Sequence, residues 1–497
     1  MLLEHDIVRR LGVCGELHGR RKITLNYERI TPQNAVEVLG KAKAIHNANA
    51  LETQYLWDVY CGVHDIRHKE KIVRPNINNK LAINLCNYIV TFKSAYLLSS
   101  PVQYVSADSG KEDTSDAVSM LNKYMDEQDK ESKDKLTVDW TYISGVAPRL
   151  CVPNPDWTPG DTYTSPFAIY ALDPREAFVI YSSHIGKRPI GGVVRQYDEN
   201  DCETYALYTP DGIYQISEDR IDSFMPYSFG TVPIVEYINN EARLGAFEII
   251  LPIQNMVNTL ESNRIDNIVD FVNAYDVFKN CEVTKEIYDE LAAGGAVINI
   301  ASTPGVESDV YRISSELSQT GVQTVIESLL DYVNVICGLP NRNGANSTSD
   351  TGSAVQFRDG WQEAESRATD TEAQFKKSEK QLLGVAFRIM EDRVGTKLST
   401  AQIDIRFTRK NLTNIQSKAQ VLCEMLNNDL IHPRVAYECA GILPDIEESY
   451  RLGMEWREQN KKELEEELSA EVSRDRTVST ERQDDSNADT ESGGEIQ

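Results

Sequence analysis

The sequence predicts an α+β fold that is mainly helical, and three observations lead to this expectation. Glu241–Tyr275 and Ser314–Ile336 both carry apolar side chains at helical spacing, which predicts two long amphipathic helices. Ala354–Val394 is compatible with one continuous helix of about 40 residues, or roughly 60 Å. Residues 141–237, in contrast, contain short runs rich in Val, Ile, Tyr and Phe between turn dipeptides, which is typical of antiparallel strands.

The residues before this strand-rich region are predicted to form helices. Thr31–Cys61 opens with a Thr-Pro pair, in which Thr31 would cap the helix and the proline would occupy its first position. Asn79–Leu98 carries aliphatic and aromatic residues on one stripe at helical spacing, and Pro101 ends it. Lys111–Asp134 is charged, with a thin apolar face. The first part of the chain is therefore expected to be mainly helical.

Several runs in the strand-rich region are predicted to be strands, because they are short and rich in β-branched and aromatic residues. They are FAIYALDP at 167–174, AFVIYSS at 177–183, GGVVRQYD at 191–198, ETYALYTPDGIYQIS at 203–217 and TVPIVEYI at 231–238. Residues 210–212, Pro-Asp-Gly, predict a turn in which the glycine supplies a positive φ.

The two long helices bracket a compact segment, Phe278–Ile313, so we expect a hairpin of rods with a small αβ cap. On one face of the second rod, polar residues align at spacings of seven, four and four. They are Glu316, Gln323, Glu327 and Asp331. Taken alone, this face is typical of a surface helix in contact with bulk water.

Asn341–Ser353, with the sequence NRNGANSTSDTGS, has no large apolar residue although it lies between two strongly helical segments. A flexible polar loop held between rigid elements often carries function at its tip. A plain surface linker is the alternative interpretation of the same residues.

The composition predicts a folded protein of two to four domains in a reducing compartment. At 497 residues and 41% hydrophobic content, the chain can bury more than one core. No apolar run approaches the roughly 18 residues that span a membrane, and the first residues lack a signal-peptide pattern. The nine cysteines are scattered without a CxxC pair, which favours reduced thiols over disulfides or a zinc site.

The formal net charge of −26 also restricts function. Proteins that grip DNA usually neutralise its phosphates with Lys and Arg, so this chain is not expected to bind DNA tightly over its whole surface. The acidity fits a role unrelated to nucleic acid, or a surface past which a polyanion must move without sticking. Residues 473–497 are acidic and rich in Ser and Thr, and we expect them to be disordered.

Motifs that carry catalysis are absent from the sequence. There is no GxxxxGK[ST] phosphate loop, GxGxxG turn, GxSxG elbow or HExxH helix. His64 and His68 are four residues apart, but no third ligand is near them in sequence, so exposed loop histidines are the simpler interpretation. We predict no enzymatic activity, no metal site and no cofactor.

The order of these elements resembles the portal proteins of tailed bacteriophages, of the siphophage type common in phages of Gram-positive hosts. Three stretches are similar to the family's elements: residues 78–104 to its helix-to-strand passage, 230–271 to its strand, polar break and first stem helix, and 351–382 to the small-residue entry into its long helix. The resemblance covers about Thr31–Glu458. No single motif is diagnostic, and the co-linear order carries the resemblance.

The resemblance implies a portal fold with a wing, a two-helix stem, a small αβ clip, a tunnel loop and a helical crown. The implied regions are an N-terminal arm at 1–30, the wing at 31–240, the first stem helix at 241–276, the clip at 277–313, the second stem helix at 314–338, the tunnel loop at 339–353, the long wing helix and strand at 354–412, the crown at 413–472 and the acidic tail at 473–497.

Within that fold, two sets of residues would face DNA. The implied tunnel-loop residues are Arg342, Asn343, Gly344, Asn346, Ser347, Thr348, Ser349 and Asp350. The implied tunnel-lining residues of the stem are Glu316, Gln323, Glu327 and Asp331. The second stem helix lacks Lys and Arg, so a basic ring in the stem would have to come from Arg264 or Lys279.

The family implies a homo-oligomer, a dodecamer, that conducts double-stranded DNA non-specifically through one capsid vertex. Its partners would be the large terminase subunit, a head-completion adaptor, and the major capsid and scaffolding proteins. The expected location is the virion, after assembly in the host cytoplasm. The alternatives are an oligomeric head-tail adaptor or scaffold without a DNA tunnel and, with less support, an enzyme that acts on nucleic acid.

Overall fold

The computed structural model describes residues 19–72, 75–107, 112–161, 163–227, 230–272, 275–279, 285, 309–313, 319–340, 360–409, 415–428, 430–440 and 449–462. These residues form helices and largely antiparallel sheets, so the predicted α+β class is confirmed. No helix among them is both long and apolar enough to cross a membrane. Described residues up to Pro101 and from Ser119 to Ala401 form one compact unit, and those of 102–118 and from Gln402 onward form a second.

The helices are numbered in chain order over the described residues. They are α1 Ala35–Tyr60, α2 Leu85–Leu97, α3 Glu112–Glu127, α4 Lys130–Ser144, α5 Leu251–Val272, α6 Gln319–Cys337, α7 Trp361–Val394, α8 Ile415–Leu426 and α9 Pro433–Ala440. Residues 449–462 are also helical. Short 3-10 turns occupy Asp65–His68, Glu248–Ile250 and Thr400–Gln402.

The strands are numbered in the same way. They are β1 Thr24–Leu25, β2 Gln103–Ser106, β3 Val146–Pro153, β4 Phe167–Ala171, β5 Ala177–Ser182, β6 Pro189–Tyr197, β7 Glu203–Tyr208, β8 Gly212–Ser217, β9 Arg220–Pro226, β10 Ile234–Ile238, β11 Tyr275–Lys279, β12 Asp309–Ile313 and β13 Ile403–Arg406.

A six-stranded sheet has the order β1-β5-β6-β7-β8-β9, in which β1 joins β5 in parallel and the other pairs are antiparallel. A three-stranded sheet has the order β10-β3-β4, and β11 pairs with β12. In the second unit, β13 pairs with β2. Alternating side chains divide the core of the first unit between the two faces of the larger sheet. Phe178 packs with Val38 of α1 on one face, and Val179 packs with Leu150 and Ile234 on the other.

All the strands predicted between residues 167 and 238 are confirmed as β4, β5, β6, β7, β8 and β10. Two strands of this region were not predicted. β3 has the sequence VAPRLCVP, in which Pro148 and the buried Arg149 interrupt the apolar pattern. β9 is almost entirely exposed at the edge of its sheet and carries no alternation of hydrophobicity.

The predicted turn at Gly212 is present, but the reason given for its glycine was wrong. Gly212 is not among the residues of positive φ. A Cβ built on Gly212 would lie 2.5 Å from the Met225 carbonyl oxygen and 2.6 Å from the ring of Phe224. Glycine is therefore required here by the close approach of β9, and not by the backbone conformation.

Several helix boundaries differ from the prediction. α1 begins at Ala35, because Thr31–Asn34 form a turn in which the Asn34 Oδ1 accepts from the Thr31 N–H at 2.7 Å. The predicted single helix at 111–134 is interrupted between α3 and α4 at Asp129, whose φ is +49°. α7 begins at Trp361 and not at Ala354, because Gly360 has a left-handed φ of +79°. Residues 354–359 lie outside the described residues.

A buried cluster of charged side chains joins four elements of the first unit. Arg149 of β3 lies 2.6 Å from Asp134 of α4 and 3.3 Å from Glu379 of α7. Lys130 of α4 reaches the other Glu379 oxygen at 3.1 Å, and Tyr237 of β10 donates to Glu379 at 2.5 Å. Burial, followed by the Glu379 carboxylate, raises the pKa of Tyr237, which keeps the phenol protonated as a donor. Two cations and two carboxylates thus balance one another without solvent.

Replacing Glu379 with alanine is expected to destabilise the first unit strongly. The change leaves Arg149 and Lys130 buried with one carboxylate between them, and breaking a buried ion pair costs about 3–5 kcal/mol. The measurement is the free energy of unfolding in urea, followed by circular dichroism.

Glu391→Ala on the same helix is the matched control. Glu391 pairs with Lys397 at 3.2 Å in solvent, with side chains 52% and 80% exposed, and such surface pairs contribute about 0–1 kcal/mol. Equal unfolding midpoints for the two variants would contradict the proposed contribution of the buried cluster to the free energy of unfolding.

Candidate functional site

Two long helices, α5 and α6, pack against each other as the predicted hairpin of rods. Beyond them, β11 and β12 pair in antiparallel register from Tyr275 opposite Ile313 to Lys279 opposite Asp309. The strand predicted at 309–313 is confirmed as β12. The helix and strand predicted between Lys285 and Ile300 fall outside the described residues, apart from Lys285 itself.

The predicted polar face of the second rod lies along its border with the first rod. Arg264 of α5 donates to the Gln323 Oε1 at 2.7 Å, and the Gln323 Nε2 donates to Glu327 at 2.7 Å. Gln323 is half-buried, whereas Glu327 and Asp331 are exposed. Glu316 lies outside the described residues. The described part of this face therefore has an acidic, solvent-accessible edge and one cation, Arg264, beside it.

The other flank of α6 is apolar and uncovered in the single chain. Val325, Tyr332 and Val335 are 50%, 59% and 65% exposed. The side of α6 that is covered by its own chain carries Ile326 and Val333, each 3% exposed. Helical geometry places Val325 and Tyr332, seven residues apart, one above the other on this flank. We call Val325, Tyr332 and Val335 the apolar flank.

The buried face of α5 is partly polar. Of the apolar stripe that the sequence predicted on this rod, Val257 is fully buried, whereas Met256 and Ile268 are 51% and 41% exposed. Four polar residues at intervals of four, which were not predicted to be buried, are also buried at 0–1% exposure. They are Gln254, Asn258, Ser262 and Asp266.

These four side chains hold an extended segment, Asn79–Leu85, which was predicted to be the first part of a helix. Each accepts one backbone N–H of the segment. The bonds are Leu85 to Gln254 at 3.0 Å, Ile83 to Asn258 at 2.9 Å, Leu81 to Ser262 at 3.0 Å and Asn79 to Asp266 at 2.7 Å. We call this arrangement the polar ladder. It replaces the intrahelical hydrogen bonds that residues 79–84 would otherwise make, and α2 begins only at Leu85.

Asp266 ends the ladder with the largest set of partners. Its Oδ1 also accepts from the Asn79 Nδ2 at 2.8 Å, and its Oδ2 lies 3.0 Å from Lys69 and 3.5 Å from Lys71. Burial alone would raise the pKa of this carboxyl, but the hydrogen bonds from Asn79 and Lys69 outweigh it and lower the pKa to about 2. Asp266 is therefore ionised throughout the physiological pH range.

The predicted tunnel loop lies almost entirely outside the described residues, since 341–359 are not described. The residues predicted to belong to it all fall there: Arg342, Asn343, Gly344, Asn346, Ser347, Thr348, Ser349 and Asp350. Both ends of this segment are described, and they meet. A Cβ built on Gly360 would lie 3.8 Å from the Leu339 carbonyl oxygen and from the Pro340 Cα.

The end of α6 at the segment's base is fixed by close packing. Gly338 has a φ of +64°, and a Cβ on it would lie 3.0 Å from the Arg367 side chain. Leu339 and Pro340 are buried, and the Leu339 N–H donates to the Asn334 carbonyl at 2.8 Å. These contacts end α6 at a defined point and direct the chain toward α7.

The start of α7 is fixed by an aromatic cluster. Trp361 lies with its ring centroid 6.1 Å from Phe92 and 6.0 Å from Tyr96, both on α2. Tyr96 also donates to Glu365 at 2.7 Å. The base of the 341–359 segment is therefore held between α2, α6 and α7.

Among the described residues, no group of three or more His, Cys, Asp or Glu is arranged to hold a metal ion. The expectation that His64 and His68 are both exposed was half wrong. His68 is exposed, but His64 is buried at 2%, and this burial lowers its pKa. A histidine kept neutral by burial next to the Asn84 amide fits a structural role.

Comparison with known proteins gives a match to a family model and weaker likenesses to solved structures, two of which come from gene transfer agent particles. No curated protein matches the sequence. Among solved structures, the neck of an empty gene transfer agent particle is similar at 10% identity, with a TM-score of 0.42, over 72% of this chain and 90% of that chain. The virion of a native gene transfer agent particle is similar at 10% identity and a TM-score of 0.42, over 79% of this chain and 94% of that chain. Likenesses at this level support no argument about function.

The match to the family model comes from sequence. The family described as "Phage portal protein, SPP1 Gp6-like" matches residues 39–473, which is most of the chain and includes both rods and the helices α7, α8 and α9. The chain therefore belongs to the phage portal protein family of the SPP1 Gp6-like type.

Proposed function

We propose that the chain assembles into a dodecameric ring at one vertex of a tailed-phage capsid and conducts double-stranded DNA during packaging and ejection. The observation that carries this proposal is the match to the portal family over residues 39–473.

The ring performs no chemistry, and the large terminase subunit supplies ATP hydrolysis. A head-completion adaptor and the major capsid and scaffolding proteins are the other proposed partners. The proposed locations are the host cytoplasm during assembly and then the virion, in a siphophage of a Gram-positive host.

The region boundaries are proposed as the resemblance to the portal family implies them. The two rods, 241–276 and 314–338, are the stem, and the intervening 277–313 is the clip that docks the motor and the adaptor. Residues 31–240 and 354–412 form the wing, and 413–472 form the crown. The packing of α5 on α6 and the pairing of β11 with β12 support the assignment of stem and clip. The arm at 1–30 and the tail at 473–497 carry no proposed contact.

The apolar flank of α6 supports assembly between copies of the chain. Val325, Tyr332 and Val335 are each at least half exposed in one subunit. A helix with a buried side of its own and a second exposed apolar side favours association, because covering that side removes apolar surface from water. In a closed ring this flank contacts the neighbouring stem, which is the contact that cyclic symmetry repeats.

Sizing of the purified chain tests the ring. We expect a particle of about twelve subunits with a central channel in electron micrographs, and loss of that particle in a Val325→Asp/Tyr332→Asp variant. In this variant each interface would bury two carboxylates without partners, which weakens the free energy of association by several kcal/mol per contact. The control is Ile185→Asp on the β5–β6 turn, since Ile185 is fully exposed but lies on neither rod.

A monomer or dimer of the unchanged chain at high concentration would contradict the portal proposal. A ring that has no central channel would favour the adaptor or scaffold alternative.

The polar face of the second rod is proposed to line the tunnel, with Glu316, Gln323, Glu327 and Asp331 repeated around the ring. Glu327 and Asp331 are exposed, as a tunnel lining requires. Rings of carboxylates repel phosphates and keep non-specific affinity for DNA low, which suits DNA that must slide in both directions. Arg264 does not stand alone as a basic ring, because Gln323 and Glu261 are its neighbours at 2.7 Å and 3.6 Å.

Reversing this charge is expected to slow DNA passage. In particles assembled with Glu327→Lys/Asp331→Lys, new phosphate contacts should lengthen DNA retention at low salt by at least about tenfold and make it strongly salt-dependent. Glu327→Gln/Asp331→Asn is the control, because it removes the repulsion without creating contacts. Unchanged packaging and ejection rates in the lysine variant at every salt concentration would sink the tunnel-lining assignment.

Residues 341–353, which include the eight residues named above, are proposed as the tunnel loop that touches DNA without holding it. Their small and nearly uncharged side chains support this role. The joined ends of the segment at Pro340 and Gly360 support it further, because such a base allows the loop to project from the stem while α6 and α7 keep their places.

Deleting Asn343–Thr351 is expected to leave ring assembly intact and to impair packaging or retention of DNA. The ring interface proposed above does not include the loop, so sizing of the deletion variant provides the control. DNA content of the particles is the measurement. Normal packaging and retention in the deletion variant would show the loop role to be wrong.

A further inference from the structure

The polar ladder matches two different periodicities. Four residues along α5 correspond to a rise of about 6.0 Å. Two residues along an extended segment span about 6.6 Å. Gln254, Asn258, Ser262 and Asp266 therefore meet every second N–H of Asn79–Leu85, with the two chains running in opposite directions. A helix and an extended strand of unrelated geometry stay in step over the whole length of the ladder.

This match does not by itself define the register. Each of the four side chains presents an oxygen that accepts an N–H, so a shift of α5 by one turn would bring three acceptors to three other N–H groups. A hydroxyl and two carboxamides discriminate poorly between such neighbouring donors. The repeating part of the ladder therefore permits axial positions spaced by about 6 Å.

Asp266 removes this ambiguity, because its partners occur at one place only. In the observed register its carboxylate reaches the ammonium groups of Lys69 and Lys71 and both nitrogens of Asn79. The side chain of Asp266 is only 2% exposed. A one-turn shift would separate this buried charge from both lysines, and an unpaired buried carboxylate is strongly unfavourable.

The opposite end of the segment is anchored as well. The Gln254 Nε2 donates to the Ile83 carbonyl at 2.5 Å. At the same place the Asn84 side chain accepts from the Asn87 N–H at 3.0 Å and caps α2, so the extended segment passes directly into that helix. The axial position of α5 is in this way transmitted to the start of α2.

We propose that the polar ladder is a register lock between α5 and the segment Asn79–Leu85, in which Asp266 is the positioning residue that selects one axial position of the helix. The lock is independent of the DNA-conducting role, since it is a property of the single chain. The proposal gives a positioning role to buried polar side chains that would destabilise the core if they had no hydrogen-bond partners.

Hydrogen–deuterium exchange over Asn79–Leu85 in the full-length protein tests the lock. Asp266→Asn keeps the size of the side chain and an acceptor for Asn79 but removes the charge. We expect exchange to accelerate by about tenfold or more along the whole segment, because no single register is then favoured. Ser262→Ala is the matched control. It removes one rung without charge, so acceleration should stay confined to the peptide around Leu81.

A second variant keeps the proposal testable if Asp266→Asn folds poorly. Lys69→Gln/Lys71→Gln leaves every ladder acceptor in place but removes both cations beside Asp266, including the Lys69 ammonium that, after the Asn79 N–H, lowers the pKa of this carboxyl. In the unchanged protein the stabilisation by this carboxylate is complete above its ordinary pKa of 3.8 and is lost only as pH falls through about 2. Without Lys69 the pKa of Asp266 rises, so protection of the segment, relative to an unprotected reference peptide, is lost at a higher pH.

The proposal would be overturned if Asp266→Asn and Ser262→Ala accelerated exchange equally and only around the substituted rung. An unchanged pH dependence of protection in the double lysine variant would also overturn it. Segment-wide loss of protection in Asp266→Asn, with a shifted pH dependence in the lysine variant, would establish it.

Discussion

The guanidinium of Arg149 is the group on which the first unit depends. It is fully buried on β3, the central strand of a three-stranded sheet, and its partners come from α4, β10 and α7. Burying a charge has a large desolvation free energy. It is offset only when the surrounding groups replace the hydrogen bonds that water made to that charge. α7 is consequently fixed on the sheet by electrostatics as well as by its apolar face. Few alternative packings of α7 would satisfy the same charges.

Much of the fold follows from simple patterns in the sequence. The runs at 167–183 and 203–217 are short and rich in β-branched and aromatic residues, and the structure confirms them as strands. Only β8 alternates strictly in burial, whereas β5 is buried on both faces. The rods were also visible as apolar periodicity. Patterns of this kind fail where a buried group is polar. Pro148 and Arg149 concealed β3, since hydrophobicity does not reveal an arginine whose charge is balanced inside the protein.

The candidate site shows the same limit. The exposed carboxylates of Glu327 and Asp331 agree with the polar face predicted for the second rod, and their place in a tunnel stays a prediction. On the first rod, the sequence predicted the burial of Val257 correctly, but it did not reveal that Gln254, Asn258, Ser262 and Asp266 are buried as well. The spacing of these four polar residues at intervals of four was the available signal. Recognising it requires a partner with free N–H groups, and Asn79–Leu85 was assigned to a helix, in which those groups would already be bonded.

The adjacent ends of the 341–359 segment have a consequence for changes in its length. Leu339 and Gly360 lie side by side, so any chain that joins them must return close to its starting point, and the entropic cost of that closure grows only slowly with the number of residues. Residues can be added, removed or exchanged between these two points while Trp361 and Gly338 keep their neighbours. The position thus offers a natural insertion point, at which a different sequence, a label or a small ligand-binding peptide can be placed on the same frame.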